Sequence, residues 1–171
     1  MIWPRNGMSS TIRNMVVDDW ANVASIYRQG IESGNATFEK DVPTWTDWEK
    51  GHISNCRIVA ISDDEVIGWA ALSPVSGRCV YAGVAEVSVY IAENHRGQKI
   101  GQKLLNELIS ESEREGIWML QSGIFPENEA SLKLHEKLGF RRVGHRERIG
   151  QMNGTWRDTV LLERRSTAVG L

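Results

Sequence analysis

Two cysteines, four prolines and four histidines in 171 residues exclude several kinds of protein at once. Cys56 and Cys79 have no metal-ligand spacing and form no disulfide framework, so two free thiols in a reducing cytoplasm are expected. The histidines are scattered and outline no zinc site, and no metal is expected. Net charge is −2, from 20 basic and 22 acidic residues, which gives no support to nucleic acid or an anionic membrane as a partner. No apolar run approaches the ~20 residues that a membrane span needs. Residues 1–10 lack the apolar segment of a secretory signal. Repeats and low-complexity tracts are absent. The remainder, 41% apolar and 25% charged, has the balance of a soluble globular domain with one sizeable core.

Periodicity orders the chain. Residues 1–9 read as a flexible extension in which Met8 is an alternative start, residues 10–165 as one domain, and residues 166–171 as a frayed tail. A short strand over 11–15 precedes a helix capped by Asp18 or Asp19, whose apolar side holds Trp20, Val23, Ile26 and Tyr27. Residues 32–43 form a polar loop with one aromatic, Phe38, which either plugs the loop onto the core or borders a site. Thr44 or Thr46 starts a second helix carrying Trp45, Trp48 and Ile53. Strands over 58–62 and 66–73 form a hairpin around Asp63-Asp64-Glu65. After the central segment comes a strand over 118–125, then a helix opened by Pro126 and Asn128 and stopped at Gly139. A terminal hairpin turns at Asn153-Gly154. The fold class is therefore α/β, with a mixed, mostly antiparallel sheet, about four helices and one crossover.

The central segment is EVSVYIAENHRGQKIGQKLL, residues 86–105. Val87, Val89 and Ile91 alternate with Ser88 and Tyr90 as in a strand; Ile100, Leu104, Leu105, Leu108 and Ile109 recur at helical spacing. Gly97 and Gly101 bracket the turn between them. Helix starts hold phosphate, because their first N–H groups lack internal partners and the dipole is positive there. Arg96, Lys99 and Lys103 add positive charge. A Walker loop is excluded, since three residues separate the glycines and Gln102 follows. The dinucleotide fingerprint is absent too. On these residues alone, an ordinary tight connection is an equal reading.

Arg96-Gly97-Gln98-Lys99-Ile100-Gly101 resembles the acetyl-CoA loop of the Gcn5-related N-acetyltransferases, Q/R-x-x-G-x-G/A. The run from Asn128 to Phe140, NEASLKLHEKLGF, resembles that superfamily's second motif, N-x-x-S-x-x-L-Y/H-x-x-x-G-F. The order of elements agrees over nearly the whole chain. The resemblance implies the acetyl-CoA N-acyltransferase fold, with the fourth and fifth strands splayed around the cofactor's pantetheine arm. It implies acetyl-CoA as co-substrate, held by Val87, Ser88, Val89, Arg96, Gly97, Gln98, Lys99, Ile100, Gly101, Asn128 and Ser131. Lys99 stands where the family has glycine. Its side chain either crowds the approach to the pyrophosphate or adds a charge that holds it.

Ala85-Glu86-Val87-Ser88-Val89-Tyr90-Ile91 resembles the A-E-x-S-V-Y-V/I strand of the phosphinothricin acetyltransferases. Read alone, Glu86 is more simply a solvated strand-end carboxylate. The resemblance implies that it is the base that takes a proton from the acceptor ammonium. It makes Arg78 and Tyr81 the R-x-x-Y pair that meets an acidic acceptor, and His135 a catalytic histidine donating a proton to the CoA thiolate. Phe38 and Trp156, the latter in a G-x-W-x-D segment, border the acceptor. Arg78 is otherwise a solvated loop charge, His135 a helix-surface histidine, Trp156 a core residue, and Asn128 and Ser131 helix caps.

The expected activity is direct transfer of acetyl from acetyl-CoA to the amino group of a small amino acid or analogue. Phosphinothricin, methionine sulfoximine and methionine sulfone are the implied acceptors, and a homodimer is the implied assembly. The rivals are a protein N-terminal or polyamine acetyltransferase, and a non-catalytic CoA-binding module. A long acidic groove favours the first rival, and Arg78 pointing into an enclosed pocket disfavours it.

Overall fold

The computed structural model describes residues 9–171. The extension expected over 1–9, apart from Ser9, and the alternative start at Met8 lie outside the described residues. The elements run β1 (Thr11–Asn14), α1 (Trp20–Glu32), α2 (Trp45–Lys50), β2 (Arg57–Ser62), β3 (Glu65–Pro74), β4 (Val84–Ile91), α3 (Ile100–Arg114), β5 (Met119–Ile124), α4 (Glu129–Lys137), β6 (Arg141–Met152) and β7 (Thr155–Arg165). They build the seven-stranded sheet β1-β2-β3-β4-β5-β7-β6. Only β4 and β5 run parallel, joined through α3; every other neighbouring pair is antiparallel. This is the mixed α/β fold expected.

Two short turns set the hairpin registers. Asp63 and Asp64 have φ of 50° and 64° and place Ser62 opposite Glu65. Asn153 and Gly154 have φ of 50° and 80° and place Met152 opposite Thr155. Paired left-handed residues match the twist of the flanking strands, and short polar side chains or glycine tolerate that conformation best.

The central strand β3 is buried on both faces. Ala70 and Leu72 meet the α3 side chains Leu104, Leu105 and Leu108; Trp69 and Ala71 meet Val23, Ile26 and Tyr27 of α1 and Trp48 of α2. Trp69 stacks on Tyr90 at 4.8 Å and meets Tyr27 and Trp48 edge-on. Gly30 lets α1 come close, because a Cβ there would fall 2.6 Å from the Tyr90 ring.

β4 and β5 pair only at Val84, Ala85 and Glu86. Beyond Glu86 the strands part, although β4 stays paired with β3 as far as Ile91 and β5 with β7 as far as Ile124. The sheet is thus wedged open at its centre, as the resemblance implied.

Local expectations fail where a side chain has a better partner. Asp19 does not cap α1; its buried carboxylate takes both arms of Arg13 at 2.7 and 2.8 Å and the Val16 N–H. Arg13 holds it below the usual carboxylate range. Thr44 caps α2 through its hydroxyl, which accepts from the Asp47 N–H. Ile53 lies past the end of α2 and donates its N–H to Leu72. After Arg165, Ser166 is buried, its hydroxyl donates to Glu113 at 2.8 Å, and Arg165 bonds the Val169 and Gly170 carbonyls.

Candidate active site

The wedge opens into two adjoining cavities. The first, about 700 Å³, runs from the start of α3 to the start of α4 and is bounded by α1 and the far half of β4. Arg96, Gly97, Lys99, Ile100 and Gly101 line it; Gln98 does not. The first intrahelical bond of α3 is Lys103 N–H to the Lys99 carbonyl, at 3.2 Å, and among the described residues no side chain caps the helix. The N–H groups of residues 100–102 are therefore free for an anion. Lys99 carries φ +62°, in the left-handed region. The glycine preference of the family motif is thus conformational, and the lysine side chain is held at a cost of about 1 kcal/mol or more. Lys103 turns away and donates to Ser10 at 2.8 Å. Gly101 lets α4 pack close, since a Cβ there would lie 3.2 Å from Leu134.

The second cavity, about 400 Å³, lies where β4 and β5 part. Glu86, Val87, Ser88 and Val89 form one wall and Ser122, Gly123 and Phe125 the other, with Phe38 and His135 between them. Glu86 is exposed to the cavity, and one of its oxygens accepts from the Gln121 amide at 3.2 Å. The β5-facing backbone groups of residues 87–91 have no strand partner there. Asn128 and Ser131 line both cavities. The Asn128 carbonyl oxygen accepts the Ser131 N–H, capping α4, while its amide donates to Asn35 at 3.1 Å.

His135 is 3% exposed. Its Nδ1 lies 2.7 Å from the Ser131 carbonyl, which only accepts, so Nδ1 carries the hydrogen. Nε2 is buried and has no partner among the described residues. Burial pushes the imidazole below its ordinary range, against the backbone bond that raises it. The resting ring thus offers a lone pair. The proton-donor role expected for it requires that it first gain a proton.

Phe38 serves both of its alternatives. It packs edge-on against Phe125 at 4.8 Å, with Gly150 leaving room for its ring, and it lines the cavity. The structure does not bring Arg78, Tyr81 or Trp156 to this cavity. Arg78 lies over the exposed Tyr81 ring at 5.6 Å, in the loop after β3, and Trp156 is exposed on the terminal hairpin. Both cavities also contain residues that periodicity passed over. Ser33, Asn35 and Glu127 border the first; His52, Glu39 and Thr159 border the second.

Arg157 ties the two cavities together. Its guanidinium donates to the Gly34 carbonyl and to Asn35 Oδ1, both at 2.9 Å, and to Glu127 at 3.3 Å. It lies 4.0 Å over the Phe125 ring. One side chain from β7 thereby fixes the loop of residues 33–38 to the turn before α4. No local pattern marks it, because the partners that place it, Gly34, Asn35, Phe125 and Glu127, are distant in the chain.

The model of the acetyltransferase (GNAT) family matches residues 19–140. The phosphinothricin N-acetyltransferase of Alcaligenes faecalis is 32% identical, over 90% of this chain and 81% of its own. The L-methionine sulfoximine/L-methionine sulfone acetyltransferase of Pseudomonas aeruginosa is 28% identical, over 91% of this chain and 94% of its own. A phosphinothricin acetyltransferase from Sinorhizobium meliloti, solved in complex with acetyl-CoA, superposes with TM-score 0.86 at 29% identity, over 95% of this chain and 91% of that one.

Proposed function

Because the chain belongs to the acetyltransferase (GNAT) family and is an acetyl-CoA-dependent N-acetyltransferase, we propose that its acceptor is a small polar amino acid or analogue. Phosphinothricin, methionine sulfoximine and methionine sulfone are the first candidates, after the relatives' substrates. The observation that carries the reading is the position of Glu86. It sits at the last paired rung of β4 and β5 and lines the second cavity, which meets the first further along β4 at Val89 and Tyr90.

The larger cavity suits the co-substrate. The free N–H groups at the start of α3, with Arg96 and Lys99, face a diphosphate, and the unpaired groups of residues 87–91 suit an amide-bearing arm. Acetyl-CoA supplies an activated acetyl group. Glu86 takes the first proton from the acceptor ammonium, directly or through water. Backbone N–H groups of the open β4 edge stabilise the oxyanion. His135 takes at Nε2 the proton that the attacking nitrogen sheds, and returns it to the departing sulfur. Proton count and charge balance: the amine loses two protons, one to Glu86 and one to the thiol.

Arg78 and Tyr81 lie at the Glu86 end of the sheet, since Pro74 pairs with Ala85 just before their loop. We assign them to the acceptor's acidic group on the resemblance, with Trp156 beside them. A homodimer suits the long exposed strand β6 and the exposed Val143, Ile149 and Trp156. Two free thiols, Cys56 and Cys79, suit a reducing cytoplasm.

The test is thiol release from acetyl-CoA against the three candidate acceptors, common amino acids, polyamines and short peptides. Release with the candidates supports the reading. Release only with polyamines or peptides replaces it, and acetyl-CoA binding without turnover of any acceptor favours a binding module. Unchanged turnover in His135→Ala removes the proton relay.

A further inference from the structure

His52 stands outside every motif and outside the mechanism above, yet its ring is held by a stack and a hydrogen bond. It follows α2 and stacks on Trp48, with ring centres 4.0 Å apart and planes 19° from parallel. Its Nδ1 lies 2.6 Å from the Trp48 carbonyl. A carbonyl accepts only, so Nδ1 carries the hydrogen and Nε2 carries the lone pair. Its own carbonyl accepts from Arg57 at 2.8 Å, and the same guanidinium nitrogen reaches the Glu49 carbonyl. The next residue, Ile53, is pinned to Leu72 on β3. Ring plane, tautomer and backbone are all fixed.

This ring borders the cavity of Glu86 and Ser88. Glu39 and Glu86 border it too, and among the described residues no lysine or arginine does. Burial, aided by the Arg57 charge, lowers the affinity of the ring for a second proton. The site therefore offers hydrogen-bond acceptors on this side: two carboxylates and a locked imidazole lone pair.

We propose that His52 is a specificity-determining residue, whose Nε2 accepts a hydrogen bond from a donor on the acceptor's side group. The inference rests on the small-amino-acid reading above. It ranks the acceptors named there. A sulfoximine carries an N–H donor; a sulfone and an ionised phosphinate carry acceptor oxygens only. A held, half-buried lone pair facing an oxygen leaves both without a partner, and sites built for one hydrogen bond discriminate against analogues lacking it. Methionine sulfoximine is the preferred acceptor and methionine sulfone the poorer one.

The experiment compares kcat/KM for the two acceptors in wild type, His52→Phe and His52→Gln, with melting temperature and acetyl-CoA affinity measured alongside. Phenylalanine keeps the stack on Trp48 and deletes the lone pair; glutamine offers both a donor and an acceptor. The wild type is expected to favour the sulfoximine by about tenfold, the size of one hydrogen bond. His52→Phe is expected to erase that ratio through the sulfoximine alone, and His52→Gln to narrow it by improving the sulfone. Equal losses on both acceptors in the two variants, or no wild-type preference, overturn the inference and leave the small-amino-acid reading standing. Turnover of neither acceptor by wild type that acetylates other amines overturns both. A Phe variant that fails to fold passes the decision to the wild-type ratio and the Gln variant.

Discussion

The cleft assigned above to the co-substrate is walled at its anion end by main chain, and the cavity assigned to the acceptor by side chains gathered from across the fold. In the first, the free N–H groups of residues 100–102 and the left-handed turn at Gly97 and Lys99 belong to one short run of sequence. In the second, Phe38, His52, Glu86, Ser122 and His135 come from five separate segments. A site made of backbone tolerates change in side chains and binds one ligand throughout a family. A site made of dispersed side chains is where acceptor preference is altered by single substitutions.

The sharpest way to break this contrast is Glu86→Gln. Thiol release should fall by about a hundredfold or more, the usual worth of a general base, while acetyl-CoA affinity measured by calorimetry holds. A rate unchanged at every pH would mean that the base lies elsewhere.

Arg157→Met strikes both sites together. It removes the bonds to Gly34, Asn35 and Glu127 and the contact with Phe125. KM for acetyl-CoA and for the acceptor should each rise by about tenfold, with urea stability down by about 1–3 kcal/mol. If only the acceptor KM moves, the loop of residues 33–38 belongs to the acceptor cavity alone.

The two sites are unequally legible in the amino-acid sequence. The strand, turn and helix of residues 86–109 follow a change of period from two to 3.6, and the turns at Asp63-Asp64 and Asn153-Gly154 announce themselves by residue type. The anion seat is legible because backbone geometry is local. Asp19 reads as a cap and serves Arg13 instead; no local pattern marks His52 or Arg157. Their roles depend on partners brought near only by folding, such as Gly34 for Arg157, and periodicity carries no such information.

A third test uses pH. His135 is buried and its affinity for a proton is reduced in the fold, below its ordinary 6.5. The unfolded chain then binds more protons, so stability present above 6.5 is lost as pH falls below it. One such group contributes at most about 1.4 kcal/mol per pH unit. Urea midpoints should drop between pH 7 and pH 5, and His135→Gln should flatten part of the drop. An equal slope in the variant would assign it to other groups, His52 among them.

The smallest effect belongs to the main-chain site. Lys99→Gly relieves a left-handed lysine at the cost of a more flexible unfolded chain, so stability should rise by about 0.5–1 kcal/mol. Acetyl-CoA affinity measured at two salt concentrations separates the charge from the conformation: weaker binding in the variant only at low salt marks the lysine charge as the larger contribution.

The parting of β4 and β5 has a consequence for the protein's lifetime. A sheet left open at its centre leaves backbone groups that a ligand with amides along its length would pair if it lay there. Binding to the native chain alone adds RT ln(1 + [L]/Kd), about 2.7 kcal/mol at a hundredfold excess over Kd. Resistance to proteolysis is then expected to rise with acetyl-CoA concentration. Pulse proteolysis across a range of acetyl-CoA concentrations reads this directly, and a cleavage rate indifferent to the ligand would show that the open seam is already stable by itself.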